Sequence, residues 1–165
     1  MTCINIVFWT ILNFGIAFLI RLFPLSWFNA ELALYKEHCF EKTLYKKLNV
    51  SKWKDKLPEA GGIVGFSKKS LSKKLDISYV DRFIVESCIA EIGHLLIGIV
   101  GYTSLFFTFL LPNSMNYIYI FIVFATIDLI IQMMFVVIQR YNRPRLINLR
   151  KSLTRKKAPE EISGA

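Results

Sequence analysis

The sequence predicts an all-α integral membrane protein. It should have about three transmembrane helices plus a cytoplasmic interfacial helix or loop region. Three observations carry this expectation. The 165 residues are 54% hydrophobic, with a mean hydropathy of +0.43, which is too apolar for an ordinary soluble domain of this size. The apolar residues fall in three long blocks instead of spreading evenly. The 21 Lys and Arg exceed the 12 Asp and Glu by enough to give a net charge of +9, and the basic residues lie between and after the blocks. A nucleic-acid binder would share the charge but not the greasy blocks, so no nucleic-acid partner is expected.

The first block runs from Ile4 to Ile20 and is closed by Arg21. A helical span needs ~20 apolar residues, so a helix over about 4–21 is just long enough. It has neither the basic leader nor the small-residue cleavage site of a signal peptide, so it is expected to be retained. Residues 24–82 form a polar cytoplasmic loop region. There Leu32, Tyr35, Phe40, Leu44 and Leu48 recur at helical spacing between Lys and Glu, the pattern of a helix lying in the membrane interface. Pro58, Gly61, Gly62 and Gly65 then break any long helix. The second block, about 83–111, and the third, about 117–139, both exceed the spanning length, so tilt or an interfacial end is expected. Residues 1–150 read as a single membrane domain and 151–165 as a basic C-terminal tail. Cys3, Cys39 and Cys88 are odd in number and lack metal-site spacing, so they read as free thiols.

Charge sets the topology. Thirteen of the 21 Lys and Arg lie in 21–82, the other eight lie from Arg140 onward, and 101–116 holds none. The positive-inside rule places the middle region and the C-terminus in the cytoplasm and the N-terminus outside. The localisation expected is a bacterial-type cell membrane, crossed several times.

The chemistry lies in polar residues inside the blocks. The second block reads RFIVESCIAEIGHLLIG and carries Glu86, Glu91 and His94; the third carries Asp128 and Gln132. Ionisable groups at bilayer depth are costly and mark interior, functional positions. Glu91 and His94 are three residues apart and share a helical face. At 1.5 Å per residue, His94 lies roughly 17 Å in from Phe83, and Asp128 about as far in from Gln139. Side by side, the two helices would form one polar seam opening toward the cytoplasm. His94 would be a general base on a hydroxyl, with Glu91 orienting or charging the imidazole. A purely structural polar network is the alternative. A metal held by Glu91, His94 and Asp128 is weaker, because no further His or Cys is placed to help, and none is assigned.

The third block ends in QRYNRPRL, where Gln139, Arg140, Asn142, Arg143 and Arg145 surround Pro144. Pro144 disfavours helical geometry at Arg143, so the helix is expected to stop there. The three arginines would then fan out as forked donors suited to phosphate or carboxylate. In KWKDKLP, Trp53, Lys54 and Lys56 suit the interface and anionic headgroups.

Four motifs, WKDKLP, GFSKKSL, RFIVESCIAEIGH and QRYNRPRL, occur in the order found in the glycosyl-4,4'-diaponeurosporenoate acyltransferase family. The chain resembles that family over roughly residues 37 to 150. The shared positions are Trp53, Lys54, Lys56, Arg82, Phe83, Glu86, Cys88, Glu91, His94 and 139–146. Departures are Ile89 where the family usually has Arg, Leu95 where Trp is frequent, and Gln132 where Asn is common. The resemblance implies the final acylation of staphyloxanthin synthesis, in which a fatty acyl group goes onto the glucose of a glycosylated carotenoid acid.

The expectation is thus a membrane acyltransferase that esterifies a sugar hydroxyl of a lipid-linked glycoside. His94 and Glu91 would be catalytic. Arg140, Arg143, Arg145, Asn142, Gln139, Glu86, Asp128, Gln132, Trp53, Lys54 and Lys56 would bind substrate. No bound cofactor is expected; an acyl thioester such as acyl-CoA would be the co-substrate. Partners are the lipid-linked sugar acceptor, the acyl donor and membrane lipids, with a homo-oligomer or membrane partner protein completing a small bundle. The alternative is a non-catalytic glycolipid-binding module or a small subunit of a membrane complex. A small helical membrane methyltransferase or reductase is a third reading, and its cofactor signatures are absent.

Overall fold

The structure, a computed structural model, describes residues 2–57, 76–111 and 117–163, with side chains for 5–57, 76–111 and 117–156. The stretch with Pro58, Gly61, Gly62 and Gly65, the whole GFSKKSL motif and the turn at 112–116 lie outside the described residues. The described elements are helical: α1 Thr2–Leu19, α2 Cys39–Lys47, α3 Val50–Trp53, α4 Ile77–Val100 and α5 Ile118–Ser163. Short 3₁₀ turns follow α1, and a 3₁₀ helix, Gly101–Leu110, follows α4. Among the described residues three helical stretches are long and apolar enough to cross a membrane: Asn5–Leu22, Ile77–Leu110 and Ile118–Lys156. The chain is therefore an all-helical membrane protein. Its chain contacts form two units, Met1–Trp27 with Ile89–Val137, and Phe28–Cys88 with Ile138–Ala165.

In the first unit the outward side chains of α1 and α5, such as Ile11, Phe14, Phe18, Ile127 and Ile130, are exposed and apolar, as lipid contact requires. Close packing rests on small residues. Ala125 is fully buried. A Cβ on Gly98 would lie 2.7 Å from Leu129 Cδ1 and 3.5 Å from the Leu129 backbone. A Cβ on Gly101 would lie 2.8 Å from the Trp9 ring. The change from α to 3₁₀ geometry falls at this second glycine. Beyond it Thr103 and Thr108 donate their hydroxyls to the carbonyls of Val100 and Leu105, each 2.7 Å away and three residues back, and 3₁₀ geometry brings position i−3 directly beneath. Ten residues in this form climb ~20 Å, against ~15 Å as α-helix.

In the second unit the core is Val80, Ile84 and Leu146, with Phe83, Ile147, Leu149 and Leu153 packed around it. The interfacial pattern expected over 24–82 is broken into pieces: 3₁₀ turns, then the nine residues of α2. Phe40, Leu44 and Leu48 stay exposed, whereas Tyr35 and Tyr45 turn inward.

The helix stop expected at Pro144 does not occur, because α5 runs on to Ser163. A proline inside a helix costs ~3 kcal/mol through the lost N–H and the ring clash. That local cost is outweighed by tertiary bonds of the residues before it, described below, and by burial of Leu146 after it.

Gly98 yields a graded prediction. Gly98→Ala needs only a shift of a flexible leucine tip, whereas Gly98→Val meets helix backbone. In thermal unfolding the alanine variant should be close to wild type, and the valine variant should lose about 1–3 kcal/mol.

Candidate functional site

The first unit gathers polar groups from three elements. His94 on α4 has Nδ1 2.7 Å from Gln132 Oε1 on α5. Gln132 is buried. Its Nε2 donates to Asp128 Oδ1, one turn back on α5, at 3.1 Å, and to Asn13 Oδ1 on α1 at 3.5 Å. Asn13 in turn gives its Nδ2 to the Trp9 carbonyl at 2.9 Å.

The direction of these bonds follows from which groups can donate. A carboxylate only accepts. Asn13 has spent its NH₂ on the backbone, so its oxygen also accepts. Both neighbours therefore require the amide NH₂ of Gln132, and Oε1 is left facing His94. The imidazole must then donate from Nδ1, which leaves the lone pair on Nε2. That nitrogen makes no hydrogen bond with any described residue. Phe135 stacks on the ring at 4.8 Å and 14°, which fixes its plane.

Sequence spacing pairs Glu91 with His94, but the structure gives that place to Gln132. Sharing a face with His94 is not enough, because the ring nitrogen reaches across to the facing helix. Glu91 is 1% exposed and engaged in interactions of its own. Among the described residues no three His, Cys, Asp or Glu side chains group closely enough to hold a metal ion. Glu91, His94 and Asp128 therefore do not form a ligand set.

The second unit holds the arginines of QRYNRPRL. Arg143 is 1% exposed. Its Nε donates to Ser87 Oγ at 2.9 Å, Nη1 to the Tyr35 carbonyl at 3.1 Å and Nη2 to the Ser87 carbonyl at 3.0 Å. The guanidinium also lies 5.2 Å over the Tyr35 ring, a cation–π contact. Arg140 donates through Nε and Nη2 to Glu41 Oε1 at 2.9 and 2.6 Å, and to the carbonyls of Leu34 and Lys36, both at 2.9 Å. The expected outward fan is thus replaced by two internal clamps that fasten the loop after α1 and helices α2 and α4 to α5. Only Arg145 is exposed, and it bonds and stacks on Tyr141. Gln139 and Asn142 are half-buried on α5, and Glu86 is half-buried on α4. Trp53 donates to the Leu48 carbonyl, Lys54 pairs with Asp55, and Lys56 is exposed.

Glu41 completes the Arg140 clamp. Burial pushes its carboxyl pKa up, but the hydrogen bonds from Arg140 and Tyr45 and the Arg140 charge outweigh this and hold it below the ordinary glutamate value. Tyr45 donates to Glu41 Oε2 at 2.6 Å. Burial, then the Glu41 carboxylate, push its phenol well up, so it stays a donor.

Residues 24–152 match the family model described as glycosyl-4,4'-diaponeurosporenoate acyltransferase. The chain belongs to this acyltransferase family. No curated protein and no solved structure matches it. The matched region contains His94, Asp128, Gln132, Arg140 and Arg143. Asn13 and Trp9 precede it, so α1 adds residues to the His94 group from outside the family match.

Sequence reasoning missed Asn13, Tyr35, Glu41 and Ser87. Asn13 had a signal, being an amide amid apolar residues. A search by charge passes over it. The other three are ordinary residues whose role exists only once Arg140 and Arg143 fold inward.

Two predictions follow from these clusters. In ¹⁵N NMR, His94 should be chiefly the Nδ1–H tautomer, and Gln132→Leu should give a mixture; an Nε2–H imidazole in the wild type would contradict the bond directions. The second concerns acid. Because the folded pKa of Glu41 is depressed, its stabilisation is complete above the unfolded pKa and disappears as pH falls through the folded one. The melting temperature should therefore drop as pH falls below the ordinary glutamate value of 4.5, and Glu41→Gln should flatten that drop.

Proposed function

We propose that this protein is a membrane acyltransferase that esterifies a hydroxyl of a lipid-linked sugar, such as a glycosylated carotenoid acid, with a fatty acyl group from a thioester. The observation that carries this reading is the placement of His94: Nδ1 lies 2.7 Å from Gln132 Oε1, the ring is stacked on Phe135, and Nε2 makes no hydrogen bond with any described residue.

That nitrogen takes the proton of the acceptor hydroxyl as its oxygen attacks the thioester carbonyl carbon. The tetrahedral intermediate collapses with cleavage of the C–S bond. The proton on Nε2 passes to the departing thiolate, giving ester and free thiol. Gln132 keeps the imidazole in the tautomer this requires, and Asp128 and Asn13 keep Gln132 in the matching orientation. Glu91 has no step in this scheme. Because the donors of Arg140 and Arg143 are turned onto protein acceptors, we assign them no substrate phosphate. Of the basic residues expected to bind substrate, the exposed Arg145 and Lys56 are the ones we assign to an anionic donor or lipid headgroup.

Removing a positioned general base costs typically 10²–10⁴-fold in rate. His94→Ala should lose acyl transfer by about that factor in reconstituted membranes while retaining a wild-type unfolding transition, and full turnover in this variant would sink the mechanism. Lipid extracts from cells with and without the gene identify the product. Identical profiles would favour a binding subunit over an enzyme.

A further inference from the structure

Among the described residues, three polar atoms in the first unit are buried without a hydrogen-bond partner: Asn5 Oδ1, Ser104 Oγ and Asp128 Oδ2. One such atom costs about 1–3 kcal/mol, and hydrocarbon surroundings offer no water to relieve it. Helical spacing puts Asn5 and Ser104 one turn from the contact between Trp9 and Gly101, and Asp128 borders it. Asn5 is one turn before Trp9 on the same face of α1. Ser104 is one turn after Gly101 along the 3₁₀ helix. Asp128 Oδ2 and the Trp9 ring both border Gly101, at 3.5 and 2.8 Å from where its Cβ would be. Asp128 Oδ1 meanwhile holds Gln132, which holds His94.

The chemistry of these atoms selects the ligand. An amide oxygen and a carboxylate oxygen only accept, and a serine hydroxyl readily does. What is missing is a set of O–H or N–H donors. Phosphate and carboxylate groups bring acceptors and negative charge, and an acyl chain or polyene brings neither donor nor acceptor. A sugar brings several hydroxyl donors on one rigid ring, beside an indole able to cover its apolar face. We infer that Asn5, Ser104 and Asp128, arrayed around Trp9, receive the hydroxyl groups of the acceptor's sugar and so present one of them to His94. This rests on the acyltransferase reading, and it makes α1, which lies outside the family match, a determinant of acceptor specificity.

The test is binding, measured apart from turnover. The full chain is reconstituted in nanodiscs containing a monoglucosyl diacylglycerol or the matching diacylglycerol, and intrinsic fluorescence is followed, with Trp9→Phe marking the Trp9 contribution. The glycosylated lipid should give a saturable change in Trp9 emission and the diacylglycerol none. Asn5→Leu, Ser104→Ala and Asp128→Asn should each weaken the apparent affinity by about 5–100-fold. Absence of a saturable response, or equal affinities in wild type and variants, overturns the inference and leaves buried water as the partner of these oxygens. Sugar binding that weakens in the variants, with no acyl transfer by the wild type, would uphold this site and refute the acyltransferase mechanism. Transfer that proceeds with all three variants unaffected would do the reverse.

Discussion

A hydrogen-bonding side chain inside hydrocarbon can be answered only by another part of the protein. The His94 group depends on this constraint. In water Gln132 could turn either way and solvent would satisfy whichever end was left. In the bilayer two acceptors, Asp128 Oδ1 and Asn13 Oδ1, claim its NH₂, and the opposite orientation would set oxygen against oxygen. The amide thus carries directional information from α1 and α5 to the imidazole on α4. One network joins three helices and fixes a tautomer. Packing makes it possible, since Gly98 and Gly101 admit Leu129 and Trp9 at distances that a bulky side chain would forbid.

The second unit meets the same requirement with charge. A buried guanidinium needs acceptors around its whole edge, and Arg143 finds them in Ser87 and Tyr35. Arg140 finds a carboxylate and two carbonyls. Carbonyls that belong to no regular helix ladder are the natural acceptors, and the irregular segment between α1 and α2 supplies three of them. Arginine, with five donors in a planar fork, can bind several strands of chain at once where lysine could not. The same bonds account for α5 continuing through Pro144, because residues anchored on neighbouring chain keep their positions despite the missing backbone N–H.

Much of the fold was legible because it follows from composition. Three apolar blocks separated by basic stretches leave few arrangements open, and matching His94 with Asp128 by depth needed only the rise of a helix. Contacts between helices were less legible. Glu91 and His94 share a face by spacing, yet a helical period says nothing about which side chain on the facing helix lies within reach. QRYNRPRL suggested an exposed anion site because arginine serves both for ligand binding and for internal clamping. Which use applies depends on whether carbonyls such as those of Tyr35 and Lys36 come close enough, a tertiary fact. Asn13 and the 3₁₀ course of Gly101–Leu110 were missed for a related reason. Uncharged amides and threonines carry little weight in a search for charge, though in a membrane they direct structure as firmly.

The choice of an amide next to His94 has a physical logic of its own. A carboxylate touching Nδ1 would fix the same tautomer, but it would also place a full charge against the ring, in a medium where an ion pair must be fully solvated by protein to be tolerated. An amide between them separates the two demands. Asp128 orients Gln132 from one turn away, and Gln132 offers His94 a neutral acceptor. The second oxygen of Asp128 is then not spent on aligning the imidazole. It remains beside Gly101 and Trp9 without a hydrogen-bond partner among the described residues, so a single carboxyl group can align the imidazole through one oxygen and leave the other open to a hydroxyl donor.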